Sequence, residues 1–383
     1  MSLSIAADLS CLASRPMTGV GYYTRHLFES LLRDQPGVDL RVLVSAARPL
    51  PPDLAAWRQR AARYRALRFP TRWKNALWTG PEWPPMSALL GHTDIVHGAF
   101  HLLPPSRSAM RVVTVFDLAG MRRENVHEDA ALALHRRLLE HAAPRAGAII
   151  AISHSGRADV IELLGADPDR VHVVPGGVDL AEFDAPLDEA MLAALKARLG
   201  IDRPYLIHLG TLEPRKNLPR LIQAYARLRE RHPDMPQLVL AGGKGWMYGP
   251  IFAAIEANKL AGAVIWTDYL PRAEAVTLLR GALGCAYPSL YEGFGLPALE
   301  AMAARVPVLA SDVSSLPEVV GETGILVDPV SEERLVDGLE RLVFDETGRA
   351  ARIAAARARA ETMTWTHSAQ ALLAAYRAVL DRP

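Results

Sequence analysis

Two carboxylates, Glu292 and Glu300, bracket the glycine-containing stretch Gly293-Phe294-Gly295-Leu296-Pro297-Ala298-Leu299. Ahead of them the apolar run Gly284–Tyr287 predicts a short buried strand. After it, Leu296–Ala304 predicts a helix entered through Pro297, where a missing N–H costs nothing. A strand, a loop and a helix in that order bring loop amides and a helix N-terminus to the carboxyl end of a strand, where open parallel α/β sheets bind anionic or hydroxyl-rich groups. Glu300 falls inside that helix among Leu, Ala and Met, and a carboxylate in such company needs a partner. Two partners are conceivable: a basic side chain of the protein, or the diol of a ligand such as a ribose.

A second constellation is Gly210-Thr211-Leu212-Glu213-Pro214-Arg215-Lys216-Asn217, followed by apolar residues at 218, 221, 222, 225 and 228. That period sets Arg215 and Lys216 at a helix N-terminus, which is already positive, so the pair is unfavourable unless an anion joins it. A diphosphate would satisfy both cations and the exposed amides; the competing account is that Glu213 pairs with one cation and the rest are solvated. Glycines at Gly19 and Gly21, between a first strand and a helix, would let backbone approach a phosphate or sugar, although a plain tight turn is the commoner reason for such a pair standing alone. Gly242-Gly243-Lys244-Gly245-Trp246 closes another strand in the same manner, with Trp246 as a possible apolar plug.

These segments together resemble the retaining GT-B glycosyltransferases of family four. The resemblance lies in the E-x7-E signature from Glu292 to Glu300, in the loop Gly210–Asn217, and in Val112–Leu118, Ala151–Ser155 and Val173–Asp179. It implies that Arg215 and Lys216 hold a donor pyrophosphate and that Glu292 acts on the transferred sugar with the amides of Gly293, Phe294, Gly295 and Leu296. It implies further that Glu300 binds the ribose, that Gly210 and Gly243 line the nucleotide site, and that Gly19 and Gly21 face the donor phosphates. Two departures stand out. Phe116 precedes Asp117 where many relatives have a sugar-contacting His, leaving Asp117 with His101, or else His97, on the acceptor side; Arg305 stands where a Gly is usual.

The chain of 383 residues is half hydrophobic and 22% charged, which is the composition of a folded protein of two or three domains. A net charge of +1 gives no global field for nucleic acid, and two cysteines, Cys11 and Cys285, exclude a disulfide scaffold. No apolar run spans a bilayer, so the expected setting is cytoplasmic, with possible peripheral association at the inner face of the membrane.

Alternating strand and helix patterns predict parallel doubly wound sheets. Strands are expected near 5–9, 41–44, 94–97, 112–116, 148–152 and 171–174, and again near 205–209, 237–241, 263–266, 284–287, 306–310 and 325–327. The resemblance implies two facing Rossmann-like domains with a cleft between them: 1–183 on the acceptor side, 184–362 binding the nucleotide sugar, and 363–383 as a helix returning to the first. Asp179–Gly200 is the expected hinge.

Asp167-Pro168-Asp169 has the D-x-D spacing of a metal site but sits in a turn where Asp and Pro are expected anyway, so no metal or other cofactor is expected. From Trp57 to Trp83, Arg58, Arg60, Arg63, Arg65, Arg68, Arg72 and Lys74 occur without an intervening acid among four tryptophans. That mixture fits an anionic membrane surface or a diphosphate-linked lipid acceptor, or else a solvated helix with anchored aromatics. The expectation is a metal-independent, retaining transfer of a hexose from GDP-mannose or UDP-glucose to a glycan or lipid-linked glycan in cell-surface polysaccharide synthesis. A sugar-nucleotide epimerase and a non-catalytic sugar-nucleotide-binding subunit are the alternatives.

Overall fold

The computed structural model describes residues 3–15, 17–122 and 129–381. It divides into two compact units, the described parts of 1–122, 129–177 and 365–383 in one and 178–364 in the other. The break at Gly177/Val178 lies ahead of the expected boundary at 183/184, and the expected hinge Asp179–Gly200 has structure of its own. It forms the helices Leu180–Asp184 and Glu189–Leu199, capped by Asp179 and Asp188.

The first unit carries seven parallel strands: Leu3–Asp8 (β1), Val38–Ser45 (β2), Arg63–Leu67 (β3), Ile95–Gly98 (β4), Met110–Val115 (β5), Ala148–Ala151 (β6) and Val171–Val173 (β7). They lie in the order β3-β2-β1-β4-β5-β6-β7. The second unit holds Tyr205–Leu209 (β8), Gln237–Ala241 (β9), Val264–Asp268 (β10), Gly284–Tyr287 (β11), Val308–Ser311 (β12) and Ile325–Val327 (β13), ordered β10-β9-β8-β11-β12-β13. Continuous buried runs such as Ile149-Ile150 and Leu238-Val239-Leu240 are what a parallel sheet covered on both faces demands. In each unit the winding reverses once, between β1 and β4 and between β8 and β11. Those reversals open a crevice at the carboxyl ends of the strands.

Strand β3 corrects the expectation of a helix in the basic stretch. Arg63-Tyr64-Arg65-Ala66-Leu67 is an edge strand paired only with β2, and edge strands bear charge because it blocks further pairing. Around it, Trp57 and Trp78 are core residues, Lys74 is buried, and Arg60 pairs with Glu29. Phe69, Trp73 and Trp83 stay exposed. Seven apparent surface cations are thus fewer in fact.

A helix also runs over Asp129–Ala142. The helix Trp365–Leu380 packs in the first unit on Gly19–Asp34, with Trp365 stacked on His26 and the Thr366 hydroxyl donating to Asp34 at 2.8 Å.

Candidate active site

Strand β8 ends at Leu209, and Gly210 turns the chain with φ +150°, a conformation suited to glycine. A side chain on Gly242, beyond β9, would meet the Gly210 carbonyl at 2.0 Å, so the two loops touch backbone to backbone at this point. Leu212 donates to the Gly243 carbonyl at 2.9 Å and Gly245 donates back to Leu212 at 3.0 Å. After this brace the chain makes a 3-10 turn, Pro214–Lys216, passes through left-handed Asn217, and enters the amphipathic helix Leu218–Arg231. Asn217 is locked by its side-chain amide, which donates to the Pro329 carbonyl at 2.7 Å.

The turn delivers both cations to the loop after β11. Lys216 Nζ donates to Glu292 Oε1 at 2.6 Å and to the Tyr287 hydroxyl at 2.7 Å. Arg215 donates to Glu292 Oε2 at 2.7 Å and to the Tyr291 carbonyl at 3.0 Å, while its other side holds Glu213 at 2.7 Å. The Leu290 amide donates to the Arg215 carbonyl at 2.8 Å, so the loops after β8 and β11 are also joined by backbone, at the switch point. Burial pushes the Glu292 carboxyl up, but Arg215 and Lys216 outweigh it and hold it at about 2. Two cations therefore meet two carboxylates, and the cluster is neutral as it stands.

The loop from Glu292 is shaped by two serines. Ser314 accepts from the Glu292 amide at 2.9 Å, and Ser315 donates to the carbonyls of Glu292 and Phe294 at 2.9 and 2.8 Å. Gly295 then takes φ +107° as N-cap of Leu296–Ala303. With those carbonyls held back, the amides of Gly293, Phe294 and Gly295 find no partner among the described residues. Arg305 adopts φ +61°, which explains why glycine suits that position; here its guanidinium pairs with Asp184 at 3.1 Å.

Glu300 is buried on that helix and its partner within the chain is Arg272, whose guanidinium donates at 2.7 Å. Arg272 grips Glu182 with its remaining nitrogens, at 2.9 and 2.6 Å. Burial raises the Glu300 carboxyl, opposed by Arg272 and reinforced by Glu182. Cys285, behind it, is a buried thiol pushed up to about 12 by burial and by Glu300. If Glu300 must be ionised to accept from a ligand hydroxyl, Arg272→Leu lifts its pKa further. The acid limb of donor kcat/KM then shifts to higher pH, and donor KM rises roughly tenfold, about 1.4 kcal/mol. A pH profile of the variant superimposed on that of the parent would separate Arg272 from donor binding.

His208, which carries no motif signature, joins the site, and the glycine-rich loop after β9 brings Lys244 and Trp246. His208 on β8 stacks on Tyr287, its Nδ1 facing the Ala286 carbonyl at 3.0 Å. Among the described residues its buried Nε2 has no hydrogen-bond partner; burial and Lys216 hold the ring near 4, hence neutral. Lys244 lies over the rings of Trp266, Tyr248 and Phe252 at 4.7, 4.8 and 5.2 Å, and Trp246 is half-buried beside it in sequence.

In the first unit the glycine pair is not a loop. Gly19 and Gly21 form the first turn of Gly19–Asp34, capped by Thr18. A side chain would find open space at Gly19, whereas at Gly21 it would crowd Met17 at 3.1 Å, so packing accounts for Gly21. His101, with φ +45°, accepts the Phe116 amide on Nε2 at 3.2 Å, beside Asp117, which caps Ala119 at 3.2 Å. His97 is buried between Tyr376 and Thr114, held to about 3 by burial, and serves packing. Asp167 accepts from the Asp169 amide at 3.0 Å and so caps its own turn.

The chain matches the family model of glycosyltransferase family 4 over residues 17–182 and that of glycosyl transferases group 1 over 194–359. It is 29% identical to O-antigen chain mannosyltransferase B of Escherichia coli over 294 residues, 76% of each chain. It is 30% identical to D-inositol 3-phosphate glycosyltransferase of Acidothermus cellulolyticus, covering 99% of this chain and 86% of that one. Among solved structures, sucrose-phosphate synthase from Thermosynechococcus elongatus superposes with a TM-score of 0.75 at 21% identity, over 98% of both chains. The fold shared with that structure is GT-B.

Proposed function

The chain belongs to glycosyltransferase family 4, and from that membership we propose that it moves a hexose from a nucleoside diphosphate sugar to a hydroxyl of a glycan or lipid-linked glycan, with retention and without a metal. The observation that supports this reading most is the convergence of Arg215, Lys216 and Glu292 at the switch point of the second sheet. A diphosphate entering this neutral cluster takes over the cations, and Glu292, released from them, accepts from hydroxyls of the sugar. The sugar–phosphate bond then breaks with oxocarbenium character while Arg215 and Lys216 stabilise the leaving diphosphate. The acceptor attacks the face the phosphate leaves, and the departing phosphate oxygen takes its proton, so no enzyme base is needed. Glu300 and Gly243 serve the nucleoside, and the amides of Gly293, Phe294 and Gly295 serve the sugar.

GDP-mannose and UDP-glucose are the donors to try first. No helix among the described residues is long and apolar enough to cross a membrane. The proposed contact with a lipid-linked acceptor is peripheral, through exposed Phe69, Trp73 and Trp83 with the neighbouring arginines. Incubation with a panel of nucleotide sugars in EDTA should give transfer or slow hydrolysis, with product anomers matching the donor by NMR. Isomerised donor would mean an epimerase and binding alone a non-catalytic partner. Complete loss in EDTA with rescue by Mn²⁺ would overturn the role of the cation pair.

A further inference from the structure

The first unit holds an apolar cavity of about 190 Å³ under its edge strand, walled by Leu43, Leu67, Phe69, Leu77, Trp78 and Trp83. Its polar neighbours are already satisfied within the chain. Lys74 Nζ donates to Asp8 at 2.6 Å and to Ser10 at 2.9 Å, and the Ser45 hydroxyl donates to the Phe69 carbonyl at 3.0 Å. Water entering would lack the two to four partners it needs, so the natural filling is apolar; a cavity of about 150 Å³ already takes a benzene. The cavity reaches the surface, since Trp83 is 62% and Phe69 36% exposed.

Charge in the segment that supplies Phe69 to the wall says what the apolar group carries. Arg68 precedes Phe69 and Arg72 precedes Trp73; both arginines are exposed and neither meets a carboxylate among the described residues. The Arg72 guanidinium lies 5.8 Å from the Trp73 ring centroid. An aliphatic chain under an anionic head group is complementary to such a site: rings and cavity for the chain, guanidinium forks for phosphate. The volume holds roughly one branched five-carbon unit, which suits a single chain and would leave the second chain of a diacyl lipid in water.

We propose that this cavity binds the first prenyl unit of a polyprenyl-phosphate-linked glycan, with Arg68 and Arg72 on the phosphate; the assignment rests on the lipid-linked acceptor reading above. Farnesyl phosphate, titrated by calorimetry into the full chain without donor, is the direct test. One saturable site is expected, with no detectable binding of inorganic phosphate. Leu77→Trp, which fills the cavity, should weaken farnesyl phosphate at least tenfold and raise KM for a prenyl-linked acceptor by a similar factor. KM for a soluble glycan acceptor and for donor should not move. Arg68→Glu with Arg72→Glu should weaken farnesyl phosphate but leave farnesol unchanged. A Leu77→Trp protein that melts like the parent and binds farnesyl phosphate equally well would overturn the proposal. Binding to anionic phosphatidylglycerol vesicles that ignores Leu77→Trp, in a protein that shows no saturable farnesyl phosphate binding, would also overturn it, assigning the surface to the bilayer alone. Farnesyl phosphate binding that depends on Leu77, in a protein that transfers to no acceptor, would keep the site and sink the transferase reading.

Discussion

Lys216→Met is expected to lower turnover by 10²–10³, the loss of about 2.7–4 kcal/mol that follows removal of one preorganised donor from a developing anion. Lys216 is buried, fixed by Tyr287 and Glu292 and aimed from the loop after β8 into the switch-point crevice. Its cation is thus positioned before a diphosphate arrives and needs no reorganisation when charge develops. Arg215 survives in the variant and still holds Glu292, so the fold of the loop should persist. Nucleotide affinity should fall less than turnover, because the bound diphosphate gains negative charge only as the sugar leaves. Tyr287→Phe is the control: it removes a hydroxyl acceptor from Lys216 but no charge, and should keep most of the activity. A Lys216→Met enzyme within threefold of the parent in kcat would remove Lys216 from the chemistry.

How much of this site was legible depended on distance along the chain. The strands Tyr205–Leu209, Gln237–Ala241, Gly284–Tyr287 and Ile325–Val327 occur with the bounds their apolar runs predict, because a strand buried on both faces leaves a local signature. The loops after β8 and β11 were legible for the same reason: glycine, proline and charge cluster where strands end. Arg272 was not, since it lies 28 residues from Glu300 and 90 from Glu182, and only the packing of three helices brings them together. His208 is one polar residue inside an apolar strand, and nothing beside it in sequence tells that Tyr287 will stack on it. Two partners were conceivable for the Glu300 carboxylate, a basic side chain or a ligand diol, and in this chain the protein supplies the first itself.

Strand β3 was missed for a different reason. An edge strand has one neighbour and little core to fill, so Arg63-Tyr64-Arg65 shows no buried pattern and its arginines suggest a solvated segment. The same stretch misleads about charge, because Lys74 looks like one more surface cation although it is enclosed. Only the fold sets it against Asp8, which is 66 residues away and at the carboxyl end of β1.

That enclosure makes the Asp8–Lys74 pair the largest expected stability effect in the first unit. Nζ lies 2.6 Å from Asp8 Oδ2 and 2.9 Å from Ser10 Oγ, under the Trp78 ring at 5.2 Å, with side-chain exposures of 6% and 7%. Lys74→Met leaves an uncompensated buried carboxylate on Asp8, and breaking such a pair on one side costs about 3–5 kcal/mol. At roughly 2–4 °C per kcal/mol, the first unit's melting transition should fall by about 6–20 °C. Asp8→Asn in the same protein removes the stranded charge and keeps an acceptor for the Ser10 amide, so the double variant should recover most of the loss. The second unit, which shares neither residue, should melt where it did, and two transitions need not coincide in a chain of two units. A single variant melting within a degree of the parent would mean that Asp8 is reached by water and that the pair contributes little. A double variant no better than Lys74→Met would instead locate the loss in the packing of the lysine stem against Trp78 and the cavity wall, rather than in the charge left behind.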